Sequence, residues 1–187
     1  MPSYHSAISA AGLGELSGLP LFPLKTKTRG PAPCLEAAAA AAATPEGGEG
    51  GEDIVDEALR LFRANMLFRN FELQTGGDRV LVYLTLFIHQ CLRRAAGKAS
   101  KGEGARELAT LASGAHVAPG DAAWPLGQVI ATPKSPADLE ALKGYLRQLR
   151  DCVAARLVDR VYNEDGTQNR HWMQYAKSKG FMGKAFQ

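Results

Sequence analysis

The sequence predicts an all-α fold: a compact bundle of about five to six helices, with one buried central helix over 78–95 surrounded by the others and an extended N-terminal arm. Three observations carry that expectation. The stretch from Asp78 to Arg94, DRVLVYLTLFIHQCLRR, is apolar at almost every position from Val80 to Ile88. A helix there has no polar face and must be enclosed on all sides. Segments on either side of it repeat apolar residues at helical spacing, and 187 residues with 45% hydrophobic content suffice for one ordinary core.

The central stretch has a competing reading as a buried strand, because Val80, Val82, Tyr83, Thr85, Phe87 and Ile88 are good strand formers. Its flanks favour the helix. Asp78 can serve as N-cap after a Gly76-Gly77 break, and Arg93, Arg94 and then Gly97 supply a positive last turn and a stop. The stretch is shorter than the roughly 18 to 20 apolar residues that a bilayer requires. Its cover must therefore be protein.

In chain order, the first element is the arm MPSYHSAISAAGLGELSGLPLFPLKTKTRGPAP, punctuated by Gly and Pro and expected to lie extended across a surface. Gly12 and Gly14 have the spacing GxGxxxG with no apolar strand before them, which favours a flexible arm over a phosphate loop. No charged segment precedes an apolar run and a small-residue cleavage site, so no secretory signal is expected. Residues 34–52, an alanine run followed by TPEGGEGGE, read as a low-complexity insert, mostly disordered, within a single helical domain spanning 1–187.

At Asp53 the sequence becomes orderly with DIVDEALRLFRANMLFRNF. Ile54, Val55, Ala58, Leu59, Leu61, Phe62, Asn65 and Met66 form a wide stripe opposite Asp53, Asp56, Arg60 and Arg63. Asp53 is the expected N-cap, with Asp56 and Glu57 in the first turn. An Asp56 to Arg60 pairing accounts for the clustered carboxylates better than catalysis or metal binding does. Beyond the central helix, Ala105 to Ala112 is a candidate short helix. Pro119, Pro125, Pro133 and Pro136 then mark an extended connection that presses Trp124 and the Leu126 to Ile130 group onto the bundle. Ser135, Pro136 and Asp138 make a start signal for a helix in which Leu139, Leu142, Leu146, Leu149, Val153 and Leu157 recur, running to about Val161. An NEDG turn follows, and NRHWMQYAKSKGF offers a last short helix.

The residues give little support for catalysis. His5, His89, His116 and His171 are scattered, with no HxxxH or HExxH pair, and His89-x-Cys91 splays its two side chains on a helix. His89 reads as a core histidine with a backbone partner. Phosphate-loop, nucleophile-elbow and paired-cysteine patterns are missing from the sequence. Cys34, Cys91 and Cys152 are therefore expected as free thiols in a reducing compartment. No enzyme, metal or cofactor is expected. The net charge of +3 is unevenly spread: no basic residue lies between Arg29 and Arg60, and no acidic one follows Asp165.

That uneven end is the candidate docking surface. Large aromatics beside cations are enriched where binding energy concentrates, and chain ends fray unless something holds them. Trp172, Tyr175, Lys177, Phe181 and Met182 are expected at or next to a partner contact, with Tyr4 and His5 as a second group. The bland alternative has Trp172 and Phe181 capping the open end of the bundle. A small basic nucleic-acid-binding helical module is the functional alternative, since Arg170, Lys177, Lys179 and Lys184 interleave with Trp172, Tyr175, Phe181 and Phe186.

The start MPSYHS, the arm ending KTRGPAP, the block DIVDEALRLFRANMLFRNFELQTGGDRVLVYLTLFIHQCLRR, PGDAAWPL, YLRQLRDCVAARLVDRVY and the terminal HWMQYAKSKGFMGKAF together resemble subunit 3 of the actin-related protein 2/3 complex, in the same order over nearly the whole chain. The resemblance implies several helices with one enclosed by the others. It also implies a non-catalytic structural subunit that docks on the actin-related protein 3 subunit and supports actin filament nucleation and branching. Its implied partners are actin-related proteins 2 and 3, companion subunits and, through the assembly, the actin filament. Neither nucleic acid nor membrane insertion is implied, and the implied location is the cytoplasm and its cytoskeleton. The chain departs from the family pattern in the 34–52 insert, where a short polar spacer is usual, and at His171-Trp172, where a tryptophan pair is common. The family has no catalytic residues to carry over.

Overall fold

The computed structural model describes residues 3–35 and 51–186. Within them the fold is mostly helical, with a small hairpin that corrects the all-α expectation. The hairpin pairs β1 (Glu15–Leu16) with β2 (Leu19–Pro20) antiparallel. Its turn residues Ser17 and Gly18 have φ of 52° and 81°. Positive φ at both central positions is what a two-residue hairpin needs to match strand twist, and Gly18 adopts it without strain. Five α-helices follow among the described residues: α1 (Ile54–Asn65), α2 (Gly76–Ala95), α3 (Lys101–Ser113), α4 (Pro136–Val161) and α5 (Arg170–Met173), then a 3-10 turn over Gln174–Lys177.

Every residue of α2 from Val80 to Leu92 is buried. It touches α1, α3, α4, β2 and the 3-10 turn, so its apolar circumference is met on each side. Each fully buried Val, Leu, Ile or Phe contributes about 1.5–3 kcal/mol. Two of the polar groups inside are satisfied by geometry: Thr85 donates to Leu81 O at 2.7 Å, and Arg150 of α4 reaches Tyr83 Oη at 3.1 Å and Ala112 O of α3 at 3.2 Å. One guanidinium thereby ties three helices together.

The start of α2 differs from the sequence expectation. Thr75 is the N-cap, and Asp78 sits at the third helical position, where its carboxylate receives the Thr75 backbone N–H at 2.9 Å. Gly76 and Gly77 are inside the first turn, not a break before it. Their missing side chains leave room for the arm: a Cβ at Gly76 would lie 2.7 Å from Pro20 Cγ, and one at Gly77 2.7 Å from Ser6 Oγ. The arm is held down along α4 as well, where Tyr145 donates to Pro20 O at 2.8 Å and Gln148 Oε1 accepts from Ala32 N at 2.8 Å.

Asp53 caps α1 as expected, receiving Val55 N and Asp56 N at 3.1 and 3.0 Å. The expected Asp56 to Arg60 pair does not form. Asp56 is drawn to Lys25 of the arm (2.6 Å) and Arg156 of α4 (3.1 Å), while Arg60 turns to Glu52 at 3.0 Å. Arg156 also grips Asp53 at 2.6 and 2.8 Å, so arm, α1 and α4 share one ionic knot. Burial raises the Asp56 carboxyl pKa, but Lys25 and Arg156 outweigh it and hold the group below its usual range. Leu126, Val129 and Ile130 are buried after the proline-marked connection, as read from the sequence. The span α3 is longer than Ala105 to Ala112 because Ser100 and Glu103 form a capping box. Residues 36–50 of the low-complexity insert lie outside the described residues.

Candidate functional site

The arm meets the N-terminus of α2 and runs along α1, from Glu57 in its first turn to Asn65 at its C-terminal end. Ser6 N and Oγ bond to Asp78 Oδ1 (2.9 Å) and Glu57 Oε2 (2.6 Å), and Ala7 N bonds to Glu57 Oε1 at 2.8 Å. Two carboxylates that are almost fully buried, Glu57 and Asp78, are thus satisfied by the arm. Burial pushes the Asp78 carboxyl up, but the backbone N–H groups of Ser6, Gln74 and Thr75 and the His5 ring hold it below the usual carboxylate range.

These bonds place Tyr4 and His5. Tyr4 exchanges two hydrogen bonds with the Asn65 side chain, at 3.0 Å through its N–H and 2.8 Å through its carbonyl, which leaves its own ring 52% exposed. His5 donates from Nδ1 to Asp78 at 3.1 Å and lays its ring on Phe71, with centroids 5.0 Å apart.

The C-terminal segment arrives at the same end of α1. Trp172 is buried and stacks flat on Phe62 at 5.5 Å, and Tyr175 meets Phe62 edge-on at 5.6 Å while donating to Arg63 O at 3.3 Å. Phe181 is buried against the other face of the site, edge-on to Phe71 at 5.7 Å. Phe71 therefore lies between His5 of the arm and Phe181 of the tail. Lys177 is exposed at the end of the 3-10 turn. Met182 is half-buried, with φ 53° in the tight turn that Phe181 and Lys184 close with mutual backbone bonds.

Four of the seven expected residues, Tyr4, His5, Tyr175 and Phe181, are thus linked directly to residues 63–71. Trp172 and Phe181 reach that region from inside the core. Their burial, and that of Phe186, removes the stacking platform that a nucleic-acid module would need.

The residue that sequence reasoning missed is Leu67. It is 71% exposed, and with Tyr4 it makes up the exposed large hydrophobic side chains among the described residues. Both sit at the end of α1. Arg63 and Arg69 flank Leu67 in the chain, and Lys177 and Lys179 follow Tyr175; all four are exposed and none forms an ion pair among the described residues. Exposed apolar groups at the end of α1, with unpaired cations before and after Leu67 in the chain, are the residue types of a surface suited to a protein partner. The only sequence signal for Leu67 was its place just past the last turn of an amphipathic helix.

His89 is buried, but neither ring nitrogen makes the backbone bond expected from the sequence. Burial holds its pKa below the ordinary imidazole range, against the pull of the nearby Ser178 backbone. Cys34, Cys91 and Cys152 are free, and burial pushes the Cys91 thiol far up. The described residues contain no group of three His, Cys, Asp or Glu side chains placed to hold a metal ion, and no helix among them is long and apolar enough to cross a membrane.

Residues 1–186 match the family described as P21-Arc: ARP2/3 complex ARPC3 (21 kDa) subunit. The chain is 40% identical to the actin-related protein 2/3 complex subunit 3 of Dictyostelium discoideum, covering 97% of this chain and 98% of that protein. It is 38% identical to the subunit 3 of Schizosaccharomyces pombe with 99% of each covered, and 33% identical to that of Arabidopsis thaliana with 94% and 95% covered. A match that runs through the arm, the enclosed helix and the tail alike is a match of the whole fold, and the chain belongs to the P21-Arc family of ARP2/3 complex ARPC3 subunits.

Proposed function

We propose that this chain is a non-catalytic structural subunit of the actin-related protein 2/3 complex. It docks on the actin-related protein 3 subunit and supports actin filament nucleation and branching. The observation that carries the reading is the family match from one end of the chain to the other, joined to an exposed surface at the end of α1 suited to a protein partner. Its partners are actin-related proteins 2 and 3 and the companion subunits, and it meets the actin filament through the assembly. Neither nucleic acid, membrane insertion nor a cofactor enters the role. It works in the cytoplasm, within the branched cytoskeleton.

The chain acts as one helical domain over 1–187, with α2 as the core element that the other helices share and 34–52 as an insert. Tyr4, His5, Trp172, Tyr175, Lys177, Phe181 and Met182 form or support the partner contact. Tyr4, Lys177 and the exposed part of Tyr175 face the partner, and buried Trp172 and Phe181 hold the surface from beneath. Leu67 joins them as an apolar anchor. Affinity purification of the tagged chain from its own cells tests this. Recovery of both actin-related proteins with their companion subunits is the expected result, and purification of a folded chain without them would overturn it.

A further inference from the structure

Three side chains where the arm meets α2 line up as nucleophile, base and orienting acid. The Ser3 hydroxyl lies 3.0 Å from His5 Nε2, and His5 Nδ1 lies 3.1 Å from Asp78 Oδ2. The Asp78 side chain is fully buried and its carboxyl is held below the usual range, so it is ionised near pH 7 and only accepts. In the neutral imidazole the proton therefore sits on Nδ1, Nε2 offers its lone pair, and the Ser3 O–H is the donor. Gln74 N and Thr75 N fix the same Oδ2 at 2.8 and 2.9 Å, and Phe71 supports the His5 ring with centroids 5.0 Å apart. Both reacting groups still reach solvent: the His5 side chain is 19% exposed, and Ser3 is half-buried. Other serines of the arm are placed differently. Ser6 gives its proton to Glu57 Oε2 at 2.6 Å, and exposed Ser9 accepts from Ala11 N at 3.2 Å.

A hydroxyl that shares its proton with an imidazole, itself oriented by a third group, is the signature of an activated nucleophile. We propose that Ser3 is a reactive serine that takes an acyl group from an activated ester or thioester. Ser3 Oγ attacks the carbonyl carbon while its proton passes to His5 Nε2. The bond from that carbon to the leaving oxygen or sulfur then breaks, and the leaving group carries the proton away. An acyl ester on Ser3 and a neutral His5 remain. The N–H groups of Tyr4, Ser6 and Ala7 are already given to Asn65, Asp78 and Glu57, so they do not serve as oxyanion donors for a second, hydrolytic step. The ester therefore accumulates, one per chain, without turnover. This reactivity belongs to the free chain, so the proposal stands or falls apart from the subunit role.

Treatment of the full-length chain with p-nitrophenyl acetate, followed by peptide mass spectrometry, tests it. Ser3 should be acetylated about 100-fold faster than exposed Ser9, the low end of what a positioned base supplies. His5→Ala should bring Ser3 down to the rate of Ser9, and added imidazole should restore part of the difference, which a merely structural histidine would not allow. Acetylation of Ser3 no faster than that of Ser9, undiminished labelling in His5→Ala, or a loss that imidazole does not restore would overturn the proposal. Ser3 and Ser9 are compared within one native molecule, so a folding defect in the variant cannot mask the outcome.

Discussion

Replacing Asp78 by Asn tests whether the arm is held by a buried carboxylate. In the native chain Oδ1 accepts from Ser6 N at 2.9 Å, and Oδ2 accepts from Gln74 N, Thr75 N and His5 Nδ1 at 2.8, 2.9 and 3.1 Å. An asparagine retains one acceptor oxygen. In its better orientation that oxygen keeps the three bonds at the Oδ2 position, now to a neutral acceptor, and turns an NH2 group against Ser6 N–H. The lost bond to a charged group costs about 1.5–3 kcal/mol, and the three weakened ones bring the total to about 3–5 kcal/mol. At roughly 2–4 °C per kcal/mol for a chain of this size, the melting temperature should fall by about 6–20 °C. The pH dependence adds a second readout. A carboxyl whose folded pKa is depressed contributes stability above its unfolded pKa and loses it as pH falls through the folded value. The native protein should therefore lose its advantage over Asp78→Asn on acidification below the ordinary carboxylate range, as measured by urea unfolding across pH. Equal stability at pH 7, or a gap that persists after acidification, would refute the reasoning.

Leu84→Asp places a charge at a fully buried site of α2 and should cost several kcal/mol, about enough to unfold a typical domain, giving insoluble protein in a sedimentation assay. Tyr4→Ser combined with Leu67→Ser should change stability by about 0.5 kcal/mol or less per site, because both side chains are exposed, yet should reduce incorporation into the complex in pull-downs. Truncation after Gly166 removes the buried Trp172, Phe181 and Phe186, so loss of a cooperative thermal transition is expected, whereas a merely docked tail would leave the melt intact. Deleting residues 36–50 should leave the melting temperature nearly unchanged, since loop-closure entropy varies by about 0.6 kcal/mol per doubling of length.

The helices were legible where one signal dominated. An unbroken apolar run marks α2, and Pro136 with its leucine repeat marks α4. The Asp53 cap was legible too, because its capping bonds are local. The Asp56 partner was not, since Lys25 and Arg156 come from distant parts of the chain and outcompete Arg60. Gly76-Gly77 looked like punctuation because the sequence does not show Pro20 and Ser6 closing on it. The hairpin was lost in an arm rich in Gly and Pro, although Ser17-Gly18 between Leu16 and Leu19 carried its turn. At the candidate site, residue types alone singled out the aromatics of the tail. Burial then separated them, placing Trp172 and Phe181 inside and leaving Leu67 and Tyr4, from other parts of the sequence, as the exposed large apolar groups among the described residues.

The enclosure of α2 by both ends of the chain bears on how the protein is made. A ribosome releases the arm and α2 early, while α4, which begins at Pro136, and the tail, from Arg170 to Phe186, follow only after the end of α2 at Ala95. At roughly 5–20 residues per second that interval is on the order of ten seconds. Throughout it the nascent chain carries a helix with apolar side chains on every face and only part of its cover. A holdase that engages α2 as it emerges, and lets go once the 3-10 turn and Phe186 arrive, would match the order in which the core is completed.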